Sequence, residues 1–123
     1  MSYFDKVTDL YNKINSGQLL DAFEEYYHEE VVMVEATGEK REGKETNRKA
    51  EHEFLNSVQE VHGAGVGSIT VNEAEGVTAV ESWMEVTFKG APGPIKLEQV
   101  AVQRWEGDQI KHERFYYNAP PSA

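Results

Sequence analysis

Val77-Thr-Ala-Val-Glu-Ser-Trp-Met-Glu-Val-Thr-Phe-Lys89, Ile95 to Trp105, the turn Glu106-Gly107-Asp108 and Gln109 to Asn118 follow one another in the last third of the chain. These runs read as three consecutive strands joined by tight turns. In the first, Val80, Ser82, Met84, Val86 and Phe88 alternate with Glu81, Trp83, Glu85 and Thr87. Successive side chains in a strand point to opposite faces, so the first set is expected to face the core. In the second, Leu97, Gln99, Ala101 and Gln103 share a face, and Val100 and Val102 lie with Lys96, Glu98 and Arg104 on the other. Burying Gln99 and Gln103 is costly unless each amide finds partners, which points to a wet or ligand-filled interior. Trp83, Val100, Val102 and Tyr116 make the opposite face more apolar than a solvent surface needs, which suggests a partner subunit.

Working towards the N-terminus, Val61 to Asn72 is a further strand with Gly63, Gly65 and Gly67 on one face. The spacing, the missing Lys-Ser/Thr and the flanks argue against a phosphate loop. A bent strand that lets another element approach closely is expected instead. Three helices precede it. Tyr3, Phe4, Val7, Leu10, Tyr11 and Ile14 recur at helical spacing after a capping-box start at Ser2 and Asp5. Asn15-Ser16-Gly17 ends that helix, and Leu19, Leu20, Phe23, Tyr26 and Tyr27 mark a second. Val31 to Glu35 is a short strand, and Thr37-Gly38-Glu39-Lys40 turns into a return strand ending near Gly43. Lys44 to Val58 reads as a third helix buried along Ala50, Phe54 and Val58, with the charges from Glu39 to Glu53 forming a solvated face with local pairs such as Lys49 and Glu53.

At 123 residues the chain is expected to form one domain over residues 1–118, with Ala119 to Ala123 as a tail. There is no cysteine, which removes disulfide and thiolate chemistry and fits a reducing, cytoplasmic setting. Acids outnumber bases 22 to 12 and the net charge is −10, which disfavours nucleic acid and anionic membranes. No run approaches the roughly 20 apolar residues of a membrane span or a signal peptide's apolar core. His28, His52, His62 and His112 show neither His-x-His nor His-Glu-x-x-His spacing, so no metal or other cofactor is expected. His28 is expected as a cation near the end of the second helix.

The Asn15-Ser16-Gly17 break, Tyr27-His28-Glu29-Glu30-Val31, Gly43 before the third helix, Trp105-Glu-Gly-Asp-Gln-Ile110 and Arg114-Phe-Tyr-Tyr-Asn118 together resemble the nuclear transport factor 2-like superfamily, in its SnoaL-like branch. The similarity covers nearly the whole chain. It implies an α+β cone, a strongly curved antiparallel sheet wrapped around three helices with a pocket at the open end. The superfamily contains isomerases, epoxide hydrolases, cyclases, adaptors and non-enzymatic binders, so the fold leaves activity open.

Similarity to ketosteroid isomerases places Glu35 at the carboxylate base, Leu10 at the oxyanion-hole tyrosine, with Tyr11 one step away, and Ala101 at the protonated aspartate. Against limonene epoxide hydrolases, an Asp-Arg-Asp set falls on Ser82, Met84 and Phe115, which excludes that chemistry. The implied pocket is lined by Tyr11, Met33, Glu35, Ser82, Met84, Gln99, Ala101, Glu113, Phe115 and Tyr117. Glu35 and Glu113 are then two carboxyls in one cavity, the candidate acid and base. A small apolar carbonyl compound is the expected ligand, for an enzyme or a plain binder. A homodimer through Trp83, Val100, Val102, Arg114 and Tyr116 is the expected assembly, and a protein-interaction module using that face is the alternative.

Overall fold

A computed structural model describes residues 1–118; the tail expected at 119–123 lies outside the described residues. The elements run α1 (Tyr3–Asn15), α2 (Leu19–Tyr26), β1 (Tyr27–Val34), β2 (Lys40–Glu42), α3 (Lys44–Ser57), β3 (Val58–Asn72), β4 (Val77–Phe88), β5 (Ile95–Glu106) and β6 (Gln109–Tyr116). The strands form one sheet in the order β2-β1-β6-β5-β4-β3. All neighbours pair antiparallel except β1 and β6, which run parallel. This is the α+β architecture expected from the sequence, a curled, unclosed sheet with three helices.

Local chemistry explains the ends of α1. Ser2 Oγ accepts from the Asp5 N–H at 3.0 Å and the Asp5 carboxyl accepts from the Ser2 N–H, a reciprocal cap. The Glu73 carboxylate accepts from the Tyr3 and Phe4 N–H groups at 2.8 and 3.1 Å and ties the helix start to the β3–β4 turn. Val7, Leu10 and Tyr11 then point at the sheet. They pack with Phe23, Tyr26, Tyr27, Val31, Met33, Val80, Trp105 and Ile110 as one core between helices and sheet.

The facing of β4 follows its alternation: Thr78, Val80 and Val86 are buried, whereas Glu81 is exposed. Curvature comes from β3, whose pairing with β4 shifts register at three places, each leaving an extra residue on one strand. The glycine stripe serves a side chain rather than a neighbouring element. A Cβ on Gly65 would lie 2.7 Å from Trp83 Nε1 and one on Gly63 would lie 3.2 Å from its ring, while one on Gly67 would collide with the Glu81 carboxyl. The Trp83 indole thus lies flat along a bare strand on the outer face.

Three local expectations are corrected. β1 starts at Tyr27, four residues before the expected Val31, so His28 sits in a strand and its Nδ1 accepts from the Glu30 N–H at 2.9 Å. The inward side of α3 is polar: Lys44 and Asn47 are buried, whereas Ala50 is only half-buried. Its surface ion pairs join Arg48 to Glu24 and Glu45 rather than Lys49 to Glu53.

Candidate functional site

Glu113 is the centre of the interior. It lies on the helix-facing side of β6, 1% exposed, paired across the sheet with Met33 on β1 and Gln103 on β5. A carboxyl there must have its oxygens met, and both are: Oε1 accepts from the Tyr27 hydroxyl at 2.7 Å and Oε2 from Gln103 Nε2 at 2.7 Å. Gln103 Nε2 also reaches the Tyr11 hydroxyl at 3.3 Å, and its Oε1 accepts from the Thr78 hydroxyl at 2.7 Å. The Trp105 indole N–H donates to Thr78 Oγ1 at 2.9 Å and ends the chain. The buried Gln103 amide is therefore satisfied within a closed protein network, not by the wet cavity its position suggested. Burial pushes the Glu113 carboxyl up to about 7, helped by the charge of Glu35 and opposed by the hydrogen bonds and by Arg41. The same burial, next to Glu113, pushes the Tyr11 and Tyr27 hydroxyls upward, so both act as neutral phenols.

Glu35, just past the end of β1, is held differently. Arg41 Nη2 donates to Oε1 at 2.7 Å and the Tyr117 hydroxyl to Oε2 at 2.6 Å. Burial and the bond to Glu35 push Tyr117 up to about 12. Arg41 is itself fixed, because its Nε donates to Asn47 Oδ1 at 3.1 Å. Asn47, wholly buried, donates from Nδ2 to the carbonyls of Gly43 and Arg41 at 2.8 and 3.0 Å. It pins the β2–α3 corner where Gly43, at φ 90°, turns the chain.

A third interior carboxyl went unnoticed in the sequence. Glu51 is half-buried on the sheet-facing side of α3, and burial pushes it up to about 7, with Glu113 and Glu35 raising it and Arg41 lowering it. Lys44, Asn47, Glu51, Phe54 and Val58 recur at spacings of three and four, the signature of one helix face. That signal was present, but its first three members are polar and read as solvent-facing. Glu35 thus raises both Glu51 and Glu113, Glu113 raises Glu51, and Arg41 lowers both.

The remaining candidates do not share one space. Tyr11, Met33 and Ala101 are buried, and Phe115 packs against the core. Met84 lines an apolar cleft of about 440 Å³ between the α1–α2 turn, the end of α3 and β3, with Ile14, Leu19, Leu20, Phe54 and Val61. Ser82, Gln99 and Tyr117 line a broad open depression of about 710 Å³ that also takes in Trp83, Val100 and Tyr116 of the outer face. On that face Val100 and Tyr116 are exposed and Val102 half-buried. Arg114 stacks over the Tyr116 ring at 5.2 Å and Lys96 over Trp83 at 5.1 Å. Among the described residues no group of acids and histidines is arranged to hold a metal ion, and no helix is long and apolar enough to cross a membrane.

A curled, unclosed sheet around three helices gives the chain an NTF2-like α+β fold. The model of the SnoaL-like domain matches residues 4–117, and the chain belongs to that family. It is similar to a Mesorhizobium loti protein named as a candidate SnoaL-like polyketide cyclase, with 25% identity, TM-score 0.80, and 95% of this chain and 100% of that one covered. A Pseudomonas putida protein named as a candidate polyketide cyclase aligns with TM-score 0.79 and 19% identity, covering 96% and 92% of the two chains. An NTF2-like protein of unknown function from Burkholderia xenovorans aligns with TM-score 0.73 and 15% identity, covering 98% and 86%. No curated protein matches the chain in sequence.

Proposed function

We propose that the chain takes a small apolar carbonyl compound at the cleft beside α3 and moves a proton on it without a cofactor, with interior carboxyls as acid and base. The supporting observation is that burial pushes both Glu51 and Glu113 up to about 7, with the charge of Glu113 raising Glu51 further. At neutral pH such a pair is divided between its protonated and ionised forms, so one residue type supplies both a donor and an acceptor. The cleft is the size of sites that bury one small molecule, and Phe54 and Met84 give it an apolar wall. Membership of a family in which similar structures are named as cyclases agrees with this reading. Glu35, the base implied by the ketosteroid isomerase pattern, completes the acidic group. A homodimer through the outer face around Trp83, Val100 and Tyr116 is part of the same proposal.

A second reading, a binder without turnover, is favoured by Glu35 itself, because Arg41 and Tyr117 already occupy both of its oxygens. Proton NMR in D₂O on a panel of small cyclic ketones decides between the two. Catalysed loss of the hydrogens α to the carbonyl supports proton transfer. Exchange no faster than in buffer, with a small molecule retained by the native protein in mass spectrometry, supports the binder.

A further inference from the structure

We infer that two copies of the chain pair outer face to outer face with β5 running in opposite directions, so that Arg104 and Arg114 of each copy meet the Glu81 and Glu98 carboxylates of the other. The inference rests on the homodimer reading and names the contacts that set its register. The outer side of β5 carries Glu98, Val100, Val102 and Arg104 in that order. Acid, two valines and base form a row that complements itself when turned end for end. A two-fold axis crossing β5 between Val100 and Val102 lays the acidic end of one copy over the basic end of the other, with the valines between them.

The neighbouring strands repeat this division. On β4, Glu81 pairs with Val100 and Trp83 with Glu98, and on β6, Arg114 pairs with Val102 and His112 with Arg104. Lys40 of β2 lies level with Arg114, across Val34 of β1. Acids outnumber bases 22 to 12, yet Lys40, Arg104 and Arg114 form no ion pair among the described residues, and Glu42 beside them on β2 pairs with none. Burial and these three cations hold the His112 ring below its ordinary pKa, which places the three charges around one point. The acidic end is hollow. Glu81, Trp83, Glu98, Val100 and Tyr116 line the depression of about 710 Å³, and no Lys or Arg is among its described lining residues. Lys96, the cation nearby, is already paired with Glu98 at 3.3 Å. An entering arginine finds carboxylates for its fork of N–H groups and aromatic faces for its plane. At a net charge of −10 per chain two copies repel overall, so association needs a local complement of this kind. A small anion would satisfy the cations but leave the acidic hollow without a counterpart, whereas a second copy answers both.

Reciprocal charge reversal tests this. Arg104→Glu with Arg114→Glu makes both ends of the face acidic, and Glu81→Arg with Glu98→Arg makes both ends basic. Each double variant alone should sediment as a 13.9 kDa monomer, its dimer dissociation constant raised at least about 100-fold. Mixed in equal amounts, the two should form a heterodimer recognised by its mass in native mass spectrometry, because every proposed pair is restored with its signs exchanged. Both variants keep a net negative charge, so overall attraction does not produce that result, and recovery on mixing shows that both are folded. If a double variant does not fold, Arg104→Glu in one copy and Glu98→Arg in the other repeat the test with half the charge change. A wild-type dimer that persists in both variants, or folded variants that stay monomeric when mixed, overturns the inference while the dimer itself stands. A wild-type monomer at micromolar concentration removes the dimer and the inference together.

Discussion

Replacing Glu113 by Gln should reverse the sign of its effect on stability between mildly acidic and mildly alkaline pH. The Glu113 carboxyl is raised by burial from about 4.5 to about 7. A group raised on folding is most favourable to the fold while protonated, so this contribution is complete below about 4.5, declines as pH rises through 7 and is gone above it. At about 1.4 kcal/mol per tenfold change in proton concentration, the decline amounts to roughly 3 kcal/mol. The amide introduced by Glu113→Gln has no such dependence. The variant does lose a contact: the new amide oxygen still accepts from Gln103, but the new NH₂ then faces the Tyr27 hydroxyl, which must turn and give up its acceptor. One buried bond lost costs about 1–2 kcal/mol. Glu113→Gln should therefore be less stable than wild type by about 1 kcal/mol at pH 5 and more stable by about 1–2 kcal/mol at pH 8.5. Urea titrations followed by tryptophan fluorescence at the two pH values give both differences. An effect of the same sign and size at both would refute the claim that burial dominates at Glu113.

Asn47→Ala removes the amide that holds Arg41 and the β2–α3 corner. It should cost about 3 kcal/mol in urea unfolding, since several buried groups lose their partner together. Gly65→Ala puts a methyl 2.7 Å from Trp83 Nε1. It should destabilise by about 1–3 kcal/mol and shift the tryptophan emission, whereas Gly93→Ala, where a Cβ meets nothing, should do neither. The outer-face dimer predicts about 28 kDa by sedimentation, twice the 13.9 kDa chain, and a monomer for Tyr116→Glu. A wild-type monomer at micromolar concentration would remove that proposal.

The sheet was legible because its strands obey a two-residue period: β4 and β5 put Thr78, Val80, Val86, Ala101 and Gln103 inside and Glu81, Glu98 and Arg104 outside, as alternation requires. The parallel contact of β1 with β6 could not be read so directly, since it joins residues about 80 positions apart and follows from where α2 delivers the chain. The site was harder for a different reason. Charge on a helix reads as solvent, and the apolar residues of α3 are too few to show which side is inward. Only the three-and-four spacing that links Lys44 and Asn47 to Phe54 exposes Glu51 as an inner residue. The stripe of Gly63, Gly65 and Gly67 announced a close approach, but not that the approaching group would be Trp83 from the same sheet. Gln103 illustrates the limit of composition: an inward amide was visible, but its partners Thr78, Tyr11 and Glu113 come from three separate elements.

The proposed proton transfer requires two interior carboxyls kept near neutrality. Carbon-13 NMR of the glutamate side-chain carboxyls across pH 4 to 9 measures this directly, with Glu51→Gln and Glu113→Gln assigning the signals. Midpoints near 7 are expected for Glu51 and Glu113, with that of Glu51 falling in Glu113→Gln. Midpoints of both groups near the ordinary glutamate value of about 4.3, unmoved by either substitution, would contradict it.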